Sequence, residues 1–317
     1  MANFKARVNS FLSTDTILPD FIAWAKIHSF PGLMKIPLYD VLVTLRSNFK
    51  LTDIMLRSSA IAFDLLIAFF PFTIFLLTTL PYFPIENSIS ILESYLHGLI
   101  PLNVEKALFS LINDTIQPRS GLLSIGFIAA VWFASNGMNT LINAFDQVEW
   151  VEKYKRPFMV QRGIGLFLTL VLASLLAMAV VSIVLSNVIL SIIENYVTID
   201  YITKGFILSA RWIPTVILVY LFIATIYRIG PAIKKKIPFF SIGAAVATIL
   251  FILVSAVISY FFNNFANYNR IYGSLGAVIA VMLWLQTNML IILIGYELNL
   301  SVLGSKEKIK FINQLKS

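Results

Sequence analysis

The sequence predicts an all-α integral membrane protein with six transmembrane helices and amphipathic helices at the membrane interfaces. Hydrophobic residues make up 58% of the 317 residues and charged residues only 13%, whereas soluble domains contain about 25% charged residues. The apolar residues also form continuous runs that can cross the roughly 30 Å hydrocarbon core of a bilayer at about 1.5 Å per residue. Together these features exclude an ordinary soluble enzyme and a disordered chain.

Six apolar stretches are long enough to span a membrane, and they divide the chain into three regions. Residues 1–58 form an N-terminal cytoplasmic segment, residues 59–299 the six-helix membrane domain, and residues 300–317 a basic cytoplasmic tail. The predicted spans are Ser59–Pro81, Gly121–Leu141, Ile164–Ile193, Gly205–Tyr227, Phe239–Phe262 and Ser274–Glu297.

Lysine and arginine residues are distributed very unevenly between the two sides of these spans. Seven precede the first span, and four lie in each of three later segments on the same side, whereas the opposite side carries four. Loops rich in lysine and arginine stay in the cytoplasm, so both termini are predicted to be cytoplasmic. The net charge of +8 therefore reflects membrane topology, and no nucleic-acid partner is expected.

Two segments outside the spans have helical amphipathic patterns. Apolar residues at helical spacing from Leu38 to Phe49 predict a cytoplasmic helix lying in the interface. Residues 82–119, between the first two spans, predict an acidic helical cap on the outer face. This cap could cover a cavity as a lid, or could be a helical hairpin that only stabilises the fold.

Three charged side chains fall inside predicted spans: Asp64, Arg211 and Glu297. A charge at membrane depth costs about 2.5–3.5 kcal/mol on insertion scales, so each needs a structural or functional reason. Arg211 is predicted near the outer side, where it either extends to the interface or pairs with an acidic residue of the cap.

Asp64 and Glu297 are predicted at similar depth to two amides of the second span, Asn136 and Asn139. We interpret these four residues as a candidate polar pocket open to the cytoplasm. The alternative is that they form hydrogen bonds between helices that only hold the bundle together.

Residues for enzymatic chemistry are scarce in this sequence. It has no cysteine and only two histidines, His28 and His97, which are predicted on opposite sides of the membrane. Phosphate-binding, zinc-protease and nucleophile-elbow motifs are absent. No catalytic residue, cofactor or metal site is therefore expected.

Several segments resemble the YihY/BrkB family of bacterial inner-membrane proteins, formerly labelled ribonuclease BN. The resemblance covers about Leu51 to Asn299 and is carried by RSSAIAFDLLIAFFPF, WFASNGMNTLINAFD, YRIGP and, most specifically, IYGSLGAVIAVMLWLQTNMLIILIGYELN. The motif residues that match are Pro71, Tyr272, Gly273, Gly276, Trp284, Gly295 and Asn299. The resemblance implies a six-span protein of the bacterial cytoplasmic membrane with both termini inside.

These features favour a transporter or exporter-like protein that handles a lipid or another amphiphile, with membrane lipids as partners. The alternative is a structural or interaction protein of the cell envelope without transport activity. A ribonuclease is disfavoured because the sequence lacks nuclease metal ligands. The substrate, energy source and oligomeric state stay open at this stage.

Overall fold

The computed structural model describes residues 18–29, 36–79, 120–148, 156–196, 212–264 and 274–316, and this part of the chain is all-helical. We number its helices in chain order. They are α1 (Leu18–Ile27), α2 (Leu38–Asn48), α3 (Leu51–Thr79), α4 (Ser120–Asp146), α5 (Phe158–Tyr196), α6 (Trp212–Ile229), α7 (Ile242–Asn264) and α8 (Ser274–Lys316).

Five of these helices contain segments that are long and apolar enough to cross a membrane. The segments are Leu51–Phe75, Leu123–Asp146, Phe158–Ala179, Ile242–Phe262 and Val278–Lys306. Helix α6 carries a shorter apolar segment, Ile213–Ile229, at the position of the predicted fourth span. The all-helical class is thus confirmed for the described residues, together with five helices that are long and apolar enough to span a membrane, whereas the sixth span stays a prediction.

Three helices extend beyond the apolar runs that predicted them. Helix α3 begins at Leu51 rather than near Ser59, and α5 begins at Phe158 rather than near Ile164. Helix α8 continues through the predicted basic tail to Lys316. Hydropathy marks where a helix becomes apolar, whereas the helix itself also includes polar turns at its ends.

A buried apolar core joins helices α3, α4, α5, α6, α7 and α8. The aromatic rings of Phe145, Tyr227 and Tyr296 lie at its centre and are each at most 1% exposed. Phe145 contacts Tyr296 with ring centroids 4.4 Å apart and Tyr227 with centroids 5.9 Å apart.

Helices α7 and α8 cross at very close range because both carry glycine at the crossing. A Cβ atom on Gly295 would lie 2.7 Å from the carbonyl oxygen of Gly243 and 2.8 Å from the Cβ of Ala247. Small residues allow this approach. Glu297 follows Gly295 by two residues, so this crossing fixes the position of the α8 segment that carries Glu297.

Helix α2 packs against the far part of α8 rather than standing alone. Ile36, Val41 and Val302 form a small buried cluster, and the hydroxyls of Thr44 and Ser305 lie 2.9 Å apart. The predicted cytoplasmic helix therefore exists, but its location in a lipid interface stays a prediction. The predicted outer cap, residues 82–119, lies outside the described residues.

Candidate functional site

A stripe of polar side chains runs along one face of helix α4. Its first and last members each lie three or four residues from the two central ones, which are neighbours in sequence, so the four occupy successive turns on one side of the helix. They are Asn136, Asn139, Thr140 and Asn143. Because helices α3 and α5 flank α4, each provides polar partners to this stripe. We refer to the combined set of side chains on α3, α4 and α5 as the polar seam.

On the α3 side of the seam, Asp64 is bound by Thr140. The hydroxyl of Thr140 donates a hydrogen bond to Asp64 Oδ2. The same hydroxyl also lies 3.2 Å from the backbone carbonyl oxygen of Asn136. The carboxylate is half-buried and lies within the Leu51–Phe75 span.

On the α5 side, Arg162 bridges two residues of α4. Its Nη1 atom donates to Asn136 Oδ1 at 3.0 Å, and its guanidinium lies 4.2 Å from the centroid of the Trp132 ring. Its Nη2 atom is buried without a hydrogen-bond partner. A positive charge is thus held on the opposite side of the stripe from Asp64.

The contacts between α4 and α5 show that the Arg162 side chain points along α4 toward the middle of its apolar segment, Leu123–Asp146. Gln161 donates a hydrogen bond to Asn143, and Gly165 packs against Asn139, whose Cγ would lie 2.8 Å from a Cβ on that glycine. In antiparallel helices this register places the backbone of Arg162 near residue 142. Asn136 lies six residues before residue 142 on α4, which is about 9 Å along the helix axis toward the middle of the apolar segment.

Asn139 lies at the centre of the seam with unsatisfied hydrogen-bonding groups. Its Oδ1 and Nδ2 atoms are both buried, and neither finds a hydrogen-bond partner in the described part of the chain. An unsatisfied buried polar group costs about 1–3 kcal/mol. Asn139 is therefore the member of the seam whose hydrogen-bonding groups are least satisfied within the described residues.

Glu297 belongs to a neighbouring cluster rather than to the seam. Its Oε1 atom lies 3.6 Å from Arg57 Nη2, and Arg57 Nη1 donates to the carbonyl oxygen of Ala144 at 2.9 Å. Arg57 and Asp64 are seven residues apart on α3, or about 10 Å along its axis. Of the four predicted pocket residues, Asp64, Asn136 and Asn139 belong to the seam, where the Thr140 hydroxyl links Asp64 to the backbone of Asn136, and the pocket itself stays a prediction.

Sequence reasoning missed Arg162, Thr140 and Trp132 as members of this site. Arg162 was counted as a loop charge, because the third span was predicted to begin two residues later, at Ile164. Its position two residues before that apolar run does not reveal the direction of its side chain. Arg211, Tyr272 and Gly273 lie outside the described residues.

A second polar cluster connects the two loops at the same end of the bundle. Arg156 donates to the carbonyl oxygens of Gly230 at 2.8 Å and Pro231 at 2.7 Å, and Asp146 Oδ1 accepts from the backbone N–H of Ala232 at 2.7 Å. Burial lowers the pKa of Lys236 in this loop, and the nearby positive charge of Arg156 lowers it further. This cluster holds the α6–α7 loop against the start of α5.

The described motif residues of α8 mainly determine helix packing. Trp284 donates its indole N–H to the Ser255 hydroxyl at 3.0 Å, and Asn299 accepts from the backbone N–H of Gly243 at 2.9 Å. Gly276 is buried and Gly295 lies at the α7–α8 crossing. Pro71 lies inside α3, where it cannot donate a helical hydrogen bond.

The described residues contain no group of three or more histidine, aspartate or glutamate side chains that could hold a metal ion. The arrangement that they do contain is one of separated charges and amides. It can form hydrogen bonds with a polar group that enters the membrane region beside α4.

Comparison with known proteins places the chain in a family. Residues 45–311 match the family described as Virulence factor BrkB. The chain belongs to the BrkB family. The resemblance noted from the sequence motifs is thereby confirmed, and the protein is a membrane protein of this family.

Curated members of the BrkB family are similar over most of their length. YfkH of Bacillus subtilis strain 168, whose name describes it only as ribonuclease-like, is 30% identical over 83% of this chain and 94% of its own. A UPF0761 membrane protein of Vibrio campbellii is 26% identical over 78% of this chain and 76% of its own. No solved structure matches the sequence.

Proposed function

We propose that this BrkB-family protein is an exporter-like transporter that moves an amphiphile within or across the bacterial cytoplasmic membrane. In this proposal the polar headgroup follows the seam on α3, α4 and α5, while the apolar chains stay in the surrounding lipid. Six helices cross the membrane with both termini in the cytoplasm, and α6 together with the residues before it provides the sixth crossing.

The observation that carries the proposal is the exposure of Asn136 between two charges. Asn136 is exposed on the outer surface of the bundle, within the Leu123–Asp146 span. Asp64 lies on one side of its stripe and Arg162 on the other. Polar groups at membrane depth are expensive, and they usually face the bundle interior or a hydrated cavity. A polar side chain that instead faces outward fits a lateral path for a headgroup.

The surroundings of Asn136 favour an amphiphile over a small soluble solute. Trp132 and Phe133, one turn away on α4, are 59% and 37% exposed, and Phe63 on α3 is 55% exposed. These apolar side chains border the polar stripe on the outer surface. A ligand with a polar head and apolar chains would satisfy both kinds of surface at once.

The test is a flux assay in liposomes that contain the purified protein and a fluorescently labelled phospholipid. We expect the wild type to accelerate exchange of the label between leaflets over protein-free liposomes. Asn136→Leu, which removes the exposed amide, is expected to lower the rate by about tenfold, or about 1.4 kcal/mol in the barrier.

Two control variants separate the seam from the rest of the polar residues. Gln286→Met removes a polar side chain of α8 that donates to Ser59 at 2.8 Å, away from the seam, and should leave the rate within about twofold. Glu297→Gln alters the neighbouring cluster and should change stability rather than rate, whereas Asp64→Asn should lower the rate.

Two outcomes would contradict transport along the seam. The first is a wild-type rate equal to that of protein-free liposomes, which would favour the alternative of a structural or interaction protein in the envelope. The second is an unchanged rate in both Asn136→Leu and Asp64→Asn. Ribonuclease activity forms no part of the proposal, since only the name of a relative suggests it.

A further inference from the structure

We infer that Arg162, held against the Trp132 ring, binds the phosphate group of an anionic amphiphile from the surrounding membrane. The inference rests on the proposed function, because it assigns a headgroup chemistry to the amphiphile proposed there. It is nevertheless tested by binding alone, so that each of the two can fail without the other.

Three arginines contact neighbouring helices or loops, and they differ in the groups that surround their guanidinium groups. Arg57 faces the carboxylate of Glu297 at 3.6 Å, and Arg156 donates to the carbonyl oxygens of Gly230 and Pro231. Arg156 thus has at least two backbone acceptors, whereas Arg162 donates to a single one, Asn136 Oδ1, and its guanidinium otherwise lies against the Trp132 ring. No carboxylate in the described part of the chain forms an ion pair with Arg162.

The Arg162 side chain points away from the nearer end of α5, toward Asn136. A long cationic side chain near a helix end normally extends toward water, which keeps its charge hydrated. Arg162 instead donates to Asn136, whose backbone lies about 9 Å along the helix axis from the level of the Arg162 backbone, toward the middle of the α4 apolar segment. This direction gives up hydration, and an anion at that depth would compensate for the loss.

Arg162 and Asn136 keep N–H groups that are available to a ligand, and the position of the guanidinium is fixed. The Trp132 ring covers one face of the guanidinium at 4.2 Å, which fixes the plane of its N–H groups. Nη1 uses one N–H for Asn136 Oδ1 and retains a second. Asn136 is exposed and keeps its own amide donor. Two neighbouring N–H donors, one from the planar guanidinium and one from the amide, can each donate to a different oxygen of the same phosphate.

The surroundings indicate that this phosphate belongs to a lipid. Arg162 lies within the Phe158–Ala179 span, and Trp132 is 59% exposed on the outer surface. A ligand that reaches this site passes along apolar side chains. A phosphate with acyl chains gains from that contact, whereas free phosphate would lose its hydration.

The experiment measures the melting temperature of detergent-purified protein with added lipid. The probes are dioleoylphosphatidylglycerol, dioleoylphosphatidylcholine with the same chains but no net charge, and inorganic phosphate at equal phosphorus concentration. We expect phosphatidylglycerol to raise the melting temperature more than phosphatidylcholine, and inorganic phosphate to have no effect.

Variants then assign the effect to the site. Arg162→Gln is expected to weaken the apparent affinity for phosphatidylglycerol by about tenfold, and Trp132→Leu to weaken it by a smaller factor. Arg228→Gln is the matched control: Arg228 is exposed in the last turn of α6, and its loss removes the same charge without altering the seam. The affinity of the Arg228→Gln variant for phosphatidylglycerol should equal that of the wild type.

Three results would overturn the inference. They are a wild-type protein that does not prefer phosphatidylglycerol, an Arg162→Gln variant with unchanged affinity, and a shift reproduced by inorganic phosphate alone. If Arg162→Gln does not fold, Arg162→Lys takes its place. This variant keeps the charge but loses the planar stack on Trp132, so its affinity for phosphatidylglycerol should be lower than that of the wild type. Lipid binding without flux would contradict only the proposed function.

Discussion

The phenol hydroxyl of Tyr227 on α6 donates a hydrogen bond to the backbone carbonyl oxygen of Ile292 on α8 at 2.6 Å. Both residues are buried, with 0% and 1% of their surface exposed. The nearby Tyr296 is equally buried, but its hydroxyl finds no hydrogen-bond partner among the residues that the structure describes. Two tyrosines in the same aromatic cluster therefore differ in one interaction.

This difference predicts opposite results for the same substitution. Tyr227→Phe should lower the free energy of unfolding by about 0.5–1.5 kcal/mol, because it removes the hydrogen bond that the Ile292 carbonyl accepts in addition to its bond within the helix. Tyr296→Phe should be neutral or stabilising, because it removes an unsatisfied hydroxyl. The measurement is thermal unfolding of each variant in detergent, and equal losses would show that the Tyr227 bond contributes nothing specific.

The α7–α8 crossing predicts a strong effect of a single methyl group. In Gly243→Ala the new Cβ would overlap the carbonyl oxygen of Gly295 and lie 2.5 Å from Asn299 Cγ. Overpacking of this kind costs about 1–3 kcal/mol. Gly163→Ala is the control, since nothing lies within 4 Å of its Cβ position, and alanine is a better helix former than glycine. Melting temperatures should fall for Gly243→Ala but not for Gly163→Ala.

The ion pair between Arg57 and Glu297 predicts non-additive effects. The two side chains are 14% and 6% exposed, and removal of one partner of a buried pair costs about 3–5 kcal/mol. Arg57→Met should be the more damaging single change, because it leaves a buried carboxylate and removes the donor to Ala144. The double variant Arg57→Met, Glu297→Gln should lose less stability than the two single losses combined, as measured by thermal unfolding of all four proteins.

The membrane class and most of the helices could be predicted from the sequence because they depend on local hydropathy. Each spanning helix must satisfy its own backbone hydrogen bonds in lipid, so a long apolar run already specifies its structure. The same reasoning could not give the starts of α3 and α5, because charged or polar residues, such as Asp53 and Arg57 in α3 and Gln161 and Arg162 in α5, interrupt their first two turns. Arg57 and Arg162 were for that reason interpreted as topology signals rather than as site residues.

The composition of the candidate site depended on information that hydropathy does not contain. Asp64 and Glu297 were predicted at similar depth, but depth does not determine which neighbouring helix a side chain faces. The contacts of α3 with both α4 and α8 assign Asp64 to Thr140 and Glu297 to Arg57. The partner of Asn299, the backbone of Gly243, is likewise a product of the helix crossing.

The last prediction concerns the number of crossings. Six spans place both termini on one side of the membrane, whereas the five longer spans alone would place them on opposite sides. Because the chain has no cysteine, single substitutions can be labelled without background. We expect Ser10→Cys and Ser317→Cys to react with an impermeant maleimide in inside-out vesicles but not in intact cells, since lysine and arginine keep these segments in the cytoplasm. Ser110→Cys, in the predicted outer cap, is the control and should react in intact cells. Labelling of Ser10→Cys and Ser317→Cys from opposite sides would show that α6 does not cross the membrane, and the six-span proposal would be wrong.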